Sequence, residues 1–237
     1  MKRISRRDSI IEKLPWRKYK IRILAIESSS LVASVAIVED GVTLAEYTAN
    51  FKMTHSQTLL PMIDSMVSLF GIDLSTIDAI AVSGGPGSFT GLRIGSATAK
   101  GLGLALDKPL IHVPTLDGTA YNLYGAKGLI CPIMDARRNQ VYTGIYRFEQ
   151  EFEVVMEQDA MDMGELIEKL NGMGERVIFL GDGVPVHEKK IRELMTVPFD
   201  LAPAHMNRQR AASVAALGAV YFAEGKIETA AEHGPII

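Results

Sequence analysis

The chain has 237 residues, of which 47% are hydrophobic and 22% charged, a balance that excludes a disordered protein and leaves room for one large domain or two small ones. Twenty-one glycines with only 7% aromatics suit an α/β architecture with tight turns and do not suit a coiled coil. The net charge of −3 excludes a broad nucleic-acid-gripping face, which needs surplus Lys and Arg to displace counterions; a small local contact stays open.

The first 20 residues, MKRISRRDSIIEKLPWRKYK, are basic and lack a long apolar core. They match neither a secretory signal nor a membrane anchor, and the apolar stretch that a twin-arginine signal needs does not follow Arg6-Arg7. They are expected to form a flexible extension. No stretch reaches the ~18 apolar residues of a membrane span.

Three strands are predicted in succession: Ile21 to Ile26, Val32 to Val38 and Val42 to Ala49, with the turns Glu27-Ser28-Ser29-Ser30 and Glu39-Asp40-Gly41 between them. A helix follows over 55–70, capped by Thr54 or Ser56 and ended by Gly71. Its apolar positions Leu59, Met62, Ile63, Met66, Leu69 and Phe70 recur at helical spacing, and Leu60 and Val67 widen the stripe to half the circumference. The strand Ile77 to Val82 leads into the glycine-rich loop 83–91. A second helix runs to Leu106 and is apolar or small except for a strip of Arg93, Ser96 and Lys100. Leu110 to Val113 reads as a strand and Thr115 to Leu123 as a short helix.

The second half opens with Leu129 to Met134, a hairpin turn at 135–139 and the return strand Val141 to Phe148. The one cysteine, Cys131, lies in an apolar run and is expected to be a buried, inert thiol. Asp162 to Leu170 reads as a helix, Val177 to Leu180 as a strand ending in Gly181-Asp182-Gly183, and Val186 to Leu194 and Arg208 to Glu224 as helices. The order β-β-β-α-β-α in the first half, followed by strands and then alternation, points to two related α/β lobes of the actin/Hsp70 (ASKHA) type with mixed sheets. The expected division is an N-terminal lobe over 21–127 and a C-terminal lobe over 128–237.

The loop Gly85-Pro-Gly-Ser-Phe-Thr-Gly91 stands between a strand and a helix, where backbone amides can cradle a phosphate. It lacks the Lys-Ser/Thr of a Walker A loop. The alternative is a tight turn in which Ser88 or Thr90 caps the helix. With Glu27, Ser28 and Ser29 of the first turn, Gly87 and Ser88 make a weak candidate nucleotide site. No two of the five histidines stand at i,i+4, so no helix offers a paired-imidazole metal site. His55 reads as a cap or surface residue before it reads as a base. Asp135 with Arg137 and Arg138 is either an ionic site or a turn held by local hydrogen bonds, and the turn is favoured. No G-x-S-x-G elbow or Ser/His/Asp order appears, so no catalytic residue is assigned. The helices at 55–70 and 91–106 carry more apolar surface than one sheet face covers; they are expected to cover each other in part, and a leftover apolar stripe would dock on a partner.

Four stretches resemble the TsaB (YeaZ) family of tRNA-modification proteins: ILAIESSS at 23–30, HSQTLLPMID at 55–64, VSGGPGSFTGLRIGSATAKGLGLAL at 82–106 and DARRNQVY at 135–142. The resemblance implies a non-catalytic subunit that pairs with TsaD and, with TsaE, supports threonylcarbamoyl transfer to the adenosine beside the anticodon of tRNAs reading codons that begin with A. It implies docking on TsaD, or self-association as a homodimer, through His55, Leu59, Met62, Ile63, Met66, Arg93, Ile94, Ala97 and Lys100. It also implies an indirect contact with tRNA, a cytoplasmic location and no resident cofactor, with nucleotide only at the boundary with TsaD. Where TsaD holds a metal through paired histidines, this sequence carries Thr115 and Thr119. The family more often has Asp-Thr at Glu27-Ser28, and it continues through a Tyr-x-Arg tail where this sequence ends at Ile237, so a shortened C-terminus is expected. The alternative function is a stand-alone nucleotide-binding phosphotransferase or ATPase of the same superfamily.

Overall fold

A computed structural model describes residues 21–51, 54–149 and 151–235, so the basic extension lies outside the described residues. β1 (Arg22–Glu27), β2 (Val32–Glu39) and β3 (Val42–Asn50) form an antiparallel meander. The two-residue loop Asp40-Gly41 joins β2 to β3 with both residues at positive φ (50° and 76°), the conformation that matches the twist of a tight hairpin. α1 (His55–Phe70) ends at Gly71, which is left-handed and donates its N–H to Val67. Then come β4 (Ala79–Ser83), α2 (Phe89–Leu106), β5 (Leu110–Val113) and α3 (Thr115–Ala120). The first sheet has the order β3-β2-β1-β4-β5, with β4 and β5 parallel to β1.

The second half repeats the first. β6 (Leu129–Asp135), β7 (Gln140–Phe148) and β8 (Phe152–Asp162) form a meander, followed by α4 (Met163–Met173), β9 (Val177–Leu180), α5 (Val184–Leu194) and β10 (Phe199–Leu201). The order β10-β9-β6-β7-β8 reproduces the first sheet strand for strand, including its parallel and antiparallel pairs. This duplicated lobe is the actin/Hsp70-like architecture expected from the element order.

β1 is apolar from Ile23 to Ile26 because both of its faces are covered there. Ile23 and Ala25 point to one core with α6 (Ala211–Ala223), whereas Leu24 and Ile26 point to another with α1 and α2. α6 thus belongs to the first sheet, which corrects the assignment of 128–237 to the second lobe. Its small residues let it lie close: a Cβ on Gly218 would stand 2.8 Å from that of Ala81. The first sheet also satisfies its N-terminus, with Ser34 Oγ accepting from Ala211 N–H at 3.1 Å and Glu46 from Ala212 N–H at 3.1 Å. A further cluster of Leu116, Ala120, Ile130, Met134, Tyr146 and Leu180 joins the two lobes around α3.

The strands β8 and β10 are not among the elements that the sequence predicts. β8 is an edge strand paired only with β7, and Glu153, Glu157 and Asp159 along it face solvent, so it lacks the apolar run of a central strand. No helix among the described residues is long and apolar enough to cross a membrane.

Candidate functional site

The glycine loop and the Glu27–Ser30 turn meet at the mouth between the lobes. Ser88 donates its N–H to the Ser29 carbonyl at 2.7 Å. Gly84 N–H goes to the Val113 carbonyl at 2.9 Å, Gly85 N–H to Thr115 Oγ1 at 3.1 Å, and Gly91 N–H to Ser88 Oγ at 3.3 Å, where Ser88 caps α2. These four amides bind the protein itself, whereas no acceptor among the described residues stands against those of Gly87, Phe89 and Thr90. The glycines explain how the two segments come so close. A Cβ at Gly87 would lie 2.3 Å from the Ser29 carbonyl oxygen, one at Gly91 2.1 Å from that of Ser28, and one at Gly95 2.2 Å from Ser28 Oγ. The long motif is therefore a packing surface for the first turn.

Glu27 is buried at the centre of this contact, and its Oε1 accepts from Ser29 N–H at 2.7 Å and Ser29 Oγ at 2.6 Å. Burial pushes its carboxyl above the usual range despite those bonds, and the nearby Asp182 carboxylate adds to the rise. Asp182 is itself pushed up by burial against the pull of Arg208, and its Oδ1 has no hydrogen-bond partner. Sequence reasoning missed Asp182 as Glu27's neighbour. It follows β9, where the repeat places the counterpart of the glycine loop after β4.

His55 is buried and gives structure to the same corner: its Nε2 meets the Ser30 carbonyl at 2.8 Å, pinning the start of α1 to the turn. Thr115 accepts from Gly85 N–H, and Thr119 Oγ1 donates to the Thr115 carbonyl at 2.8 Å, so both hydroxyls are used within the chain. The segment 135–139 is a turn: Arg137 N–H reaches Asp135 Oδ1 at 3.1 Å, and Arg137, Arg138 and Asn139 all have positive φ. Cys131 is buried, and its thiol is pushed up to about 12 by burial.

The expected docking residues divide sharply. Leu59, Ile63 and Met66 are at most 3% exposed and lie in the core against the first sheet, so they are not available to a partner. His55 is held in the loop corner, and Lys100 Nζ donates to the His233 carbonyl at 2.9 Å. Met62 and Ile94 are half-buried beside that core, whereas Arg93 and Ala97 are exposed. The outer surface of these helices instead carries Leu60, Leu69 and Phe70 on α1 and Phe89 and Leu104 on α2; Leu104 is 72% and Leu69 69% exposed. Arg93 lies over the Phe89 ring at 3.9 Å. Periodicity located the stripe but could not tell which half of it meets the sheet.

Comparison with known proteins agrees with this geometry. The family model described as TsaD, tRNA N6-adenosine threonylcarbamoyltransferase, matches residues 43–236. The tRNA threonylcarbamoyladenosine biosynthesis protein TsaB of Bacillus subtilis is 34% identical over 198 residues, 83% of this chain and 86% of that protein. The TsaB of Escherichia coli is 36% identical over 132 residues, 55% of this chain and 57% of that protein. YeaZ from Pseudomonas aeruginosa superposes with a TM-score of 0.78 at 27% identity, covering 92% of this chain and 99% of that one. A polyphosphate/ATP-glucomannokinase from Arthrobacter, at a TM-score of 0.50 and 11% identity over 86% of this chain and 99% of its own, shares the fold alone. By its glycine-loop motif, its duplicated lobes and these relatives, the chain belongs to the TsaB (YeaZ) family.

Proposed function

We propose that this protein takes part in forming threonylcarbamoyladenosine in tRNA as the non-catalytic subunit that binds and supports TsaD. The observation that carries the reading is the packing of the glycine loop on the first turn. The Gly84, Gly85, Ser88 and Gly91 amides bind Val113, Thr115, Ser29 and Ser88, and the carbonyls of Ser28 and Ser29 fill the space beside Gly91 and Gly87. A phosphate-cradling enzyme keeps such amides open to its ligand. The relatives' names supply the pathway.

Docking uses the outer faces of α1 and α2, where exposed Leu60, Leu69, Phe70 and Leu104 gain by leaving water. The same surface supports a homodimer when TsaD is absent. TsaE joins the pair, and nucleotide belongs to the boundary with TsaD rather than to this chain alone. A net charge of −3 fits a subunit that meets tRNA through its partner, in the cytoplasm.

The test is nucleotide binding and turnover by the isolated protein. The reading expects no saturable Mg-ATP binding and no hydrolysis until TsaD is added. ATP turnover by the isolated protein that disappears in Glu27→Ala would establish the stand-alone ATPase instead.

A further inference from the structure

A second cluster of polar side chains lies away from the lobe mouth, where the C-terminal segment crosses the edge of the first sheet. From it we infer a binding site for one divalent transition-metal ion of the zinc type, formed by His112, Glu228 and His233. One ligand atom from each residue lies within 4.8 Å of the other two, and this is the one such group among the described residues. The His112 and His233 rings are 5.9 Å apart between centroids. His233 Nδ1 and Glu228 Oε1 are 2.5 Å apart, and the His233 side chain is wholly buried. Its other nitrogen, Nε2, is also buried and has no hydrogen-bond partner. Nε2 faces away from Glu228, so the ion would take the place of the proton that His233 Nδ1 shares with Glu228 Oε1, with a ring nitrogen of His112 as the third ligand.

The backbone brings His112 to Glu228 and His233 from a distant part of the chain. Leu110 on edge strand β5 and Glu228 exchange two backbone hydrogen bonds of 2.8 and 2.9 Å, which sets Glu228 two residues from His112 along the strand edge. The turn that follows is closed by His233 N–H to the Thr229 carbonyl at 3.1 Å and by Glu232 accepting from Thr229 N–H at 2.9 Å. It brings His233 back over His112. Lys100 on α2 then holds the His233 carbonyl. Gly84 makes room for the His112 ring, since a Cβ there would lie 2.0 Å from it.

Two imidazoles and one carboxylate suit Zn²⁺, with a position left for water, and do not suit Mg²⁺ or Ca²⁺, which take oxygen ligands. The site differs in place and residues from the Thr115/Thr119 pair. Its bound ion clips the C-terminal segment to β5 and α2, covering an open strand edge.

The experiment uses the full chain, stripped with a chelator and desalted. It is titrated with Zn²⁺ against a chromogenic competitor and separately with Co²⁺ in the visible range. The expected result is one equivalent of either ion per chain, with Co²⁺ d–d bands of a nitrogen-ligated ion of low coordination number. His112→Ala and His233→Ala each weaken Zn²⁺ binding by about tenfold or more, whereas His205→Ala, at an exposed position outside the cluster, binds as the parent does. If His233→Ala does not fold, His112→Ala and the Co²⁺ spectrum of the unaltered chain decide. No saturable binding by the folded parent, or unchanged affinity in His112→Ala, overturns the site.

Discussion

The Tyr146 hydroxyl, on β7 of the second lobe, donates to Asp117 Oδ1 on α3 at 2.8 Å, and Tyr221 on α6 donates to the other oxygen at 3.1 Å. One buried carboxyl therefore fastens the second lobe to the first lobe and its last helix. Burial raises the Asp117 carboxyl, and the two phenols are raised by burial and by the carboxyl they face. Tyr146→Phe removes a buried donor to the Asp117 carboxyl and is expected to lower stability by about 1–3 kcal/mol. Tyr221→Phe, at a longer and less buried bond, is expected to cost less. Urea unfolding checks both; a Tyr146→Phe variant as stable as the parent contradicts this role for Asp117.

The glycines of α2 and its loop divide into two kinds. A Cβ at Gly91 meets the Ser28 backbone at 2.1 Å, whereas one at Gly101 meets nothing within 4 Å. Gly91→Ala is expected to destabilise by about 1–3 kcal/mol or more through overpacking against a fixed backbone. Gly101→Ala, at an exposed helical position, is expected to stabilise by about 0.5–1 kcal/mol through helix propensity. Thermal unfolding of the two variants separates them by sign, and equal effects would contradict the packing account of the motif.

The sequence made the element order of the first lobe legible because its buried strands are short apolar runs bounded by turn residues and the α1 stripe carries a period of about 3.6. It did not reveal β8, whose edge position lets charged residues alternate with half-buried ones. Nor did it reveal where α6 packs, because an alanine-rich helix with no polar face fits either sheet. The candidate loop was visible as a pattern, but its packing on the first turn depends on the Ser28 and Ser29 carbonyls, and backbone oxygens leave no mark in a sequence. His112 is far in the chain from Glu228 and His233, so no spacing rule could join the three.

Glu27 gives a pH test. Its folded carboxyl is raised by burial, so the folded chain holds this proton to higher pH than the unfolded one does. The stabilising contribution is full below the ordinary glutamate value of 4.5 and is lost as pH rises through the raised folded value. Glu27→Gln keeps an acceptor for Ser29 and removes the titration. It is expected to raise the Tm at pH 7 to 8, with the gain shrinking towards pH 4, while Asp117 and Asp182 keep their own slopes. A variant less stable than the parent at pH 8 would mean that the carboxylate is held charged there by a favourable partner.

The outer faces of α1 and α2 give a paired test. Leu104→Asp changes a side chain that is 72% exposed and should leave the isolated fold unchanged while weakening association with TsaD. Leu59→Asp puts a charge in the core and should unfold the chain by itself, at a cost of several kcal/mol. Circular dichroism reads the fold and co-elution reads the association. Intact binding by folded Leu104→Asp moves the interface off that position.

The most direct measurement is size-exclusion chromatography with light scattering on this protein alone and mixed with TsaD, with and without ATP. The account predicts a complex whose mass is the sum of the two chains, and its loss in Leu104→Asp. Two separate peaks under every condition, from folded proteins, would contradict the claim that this chain exists to support TsaD.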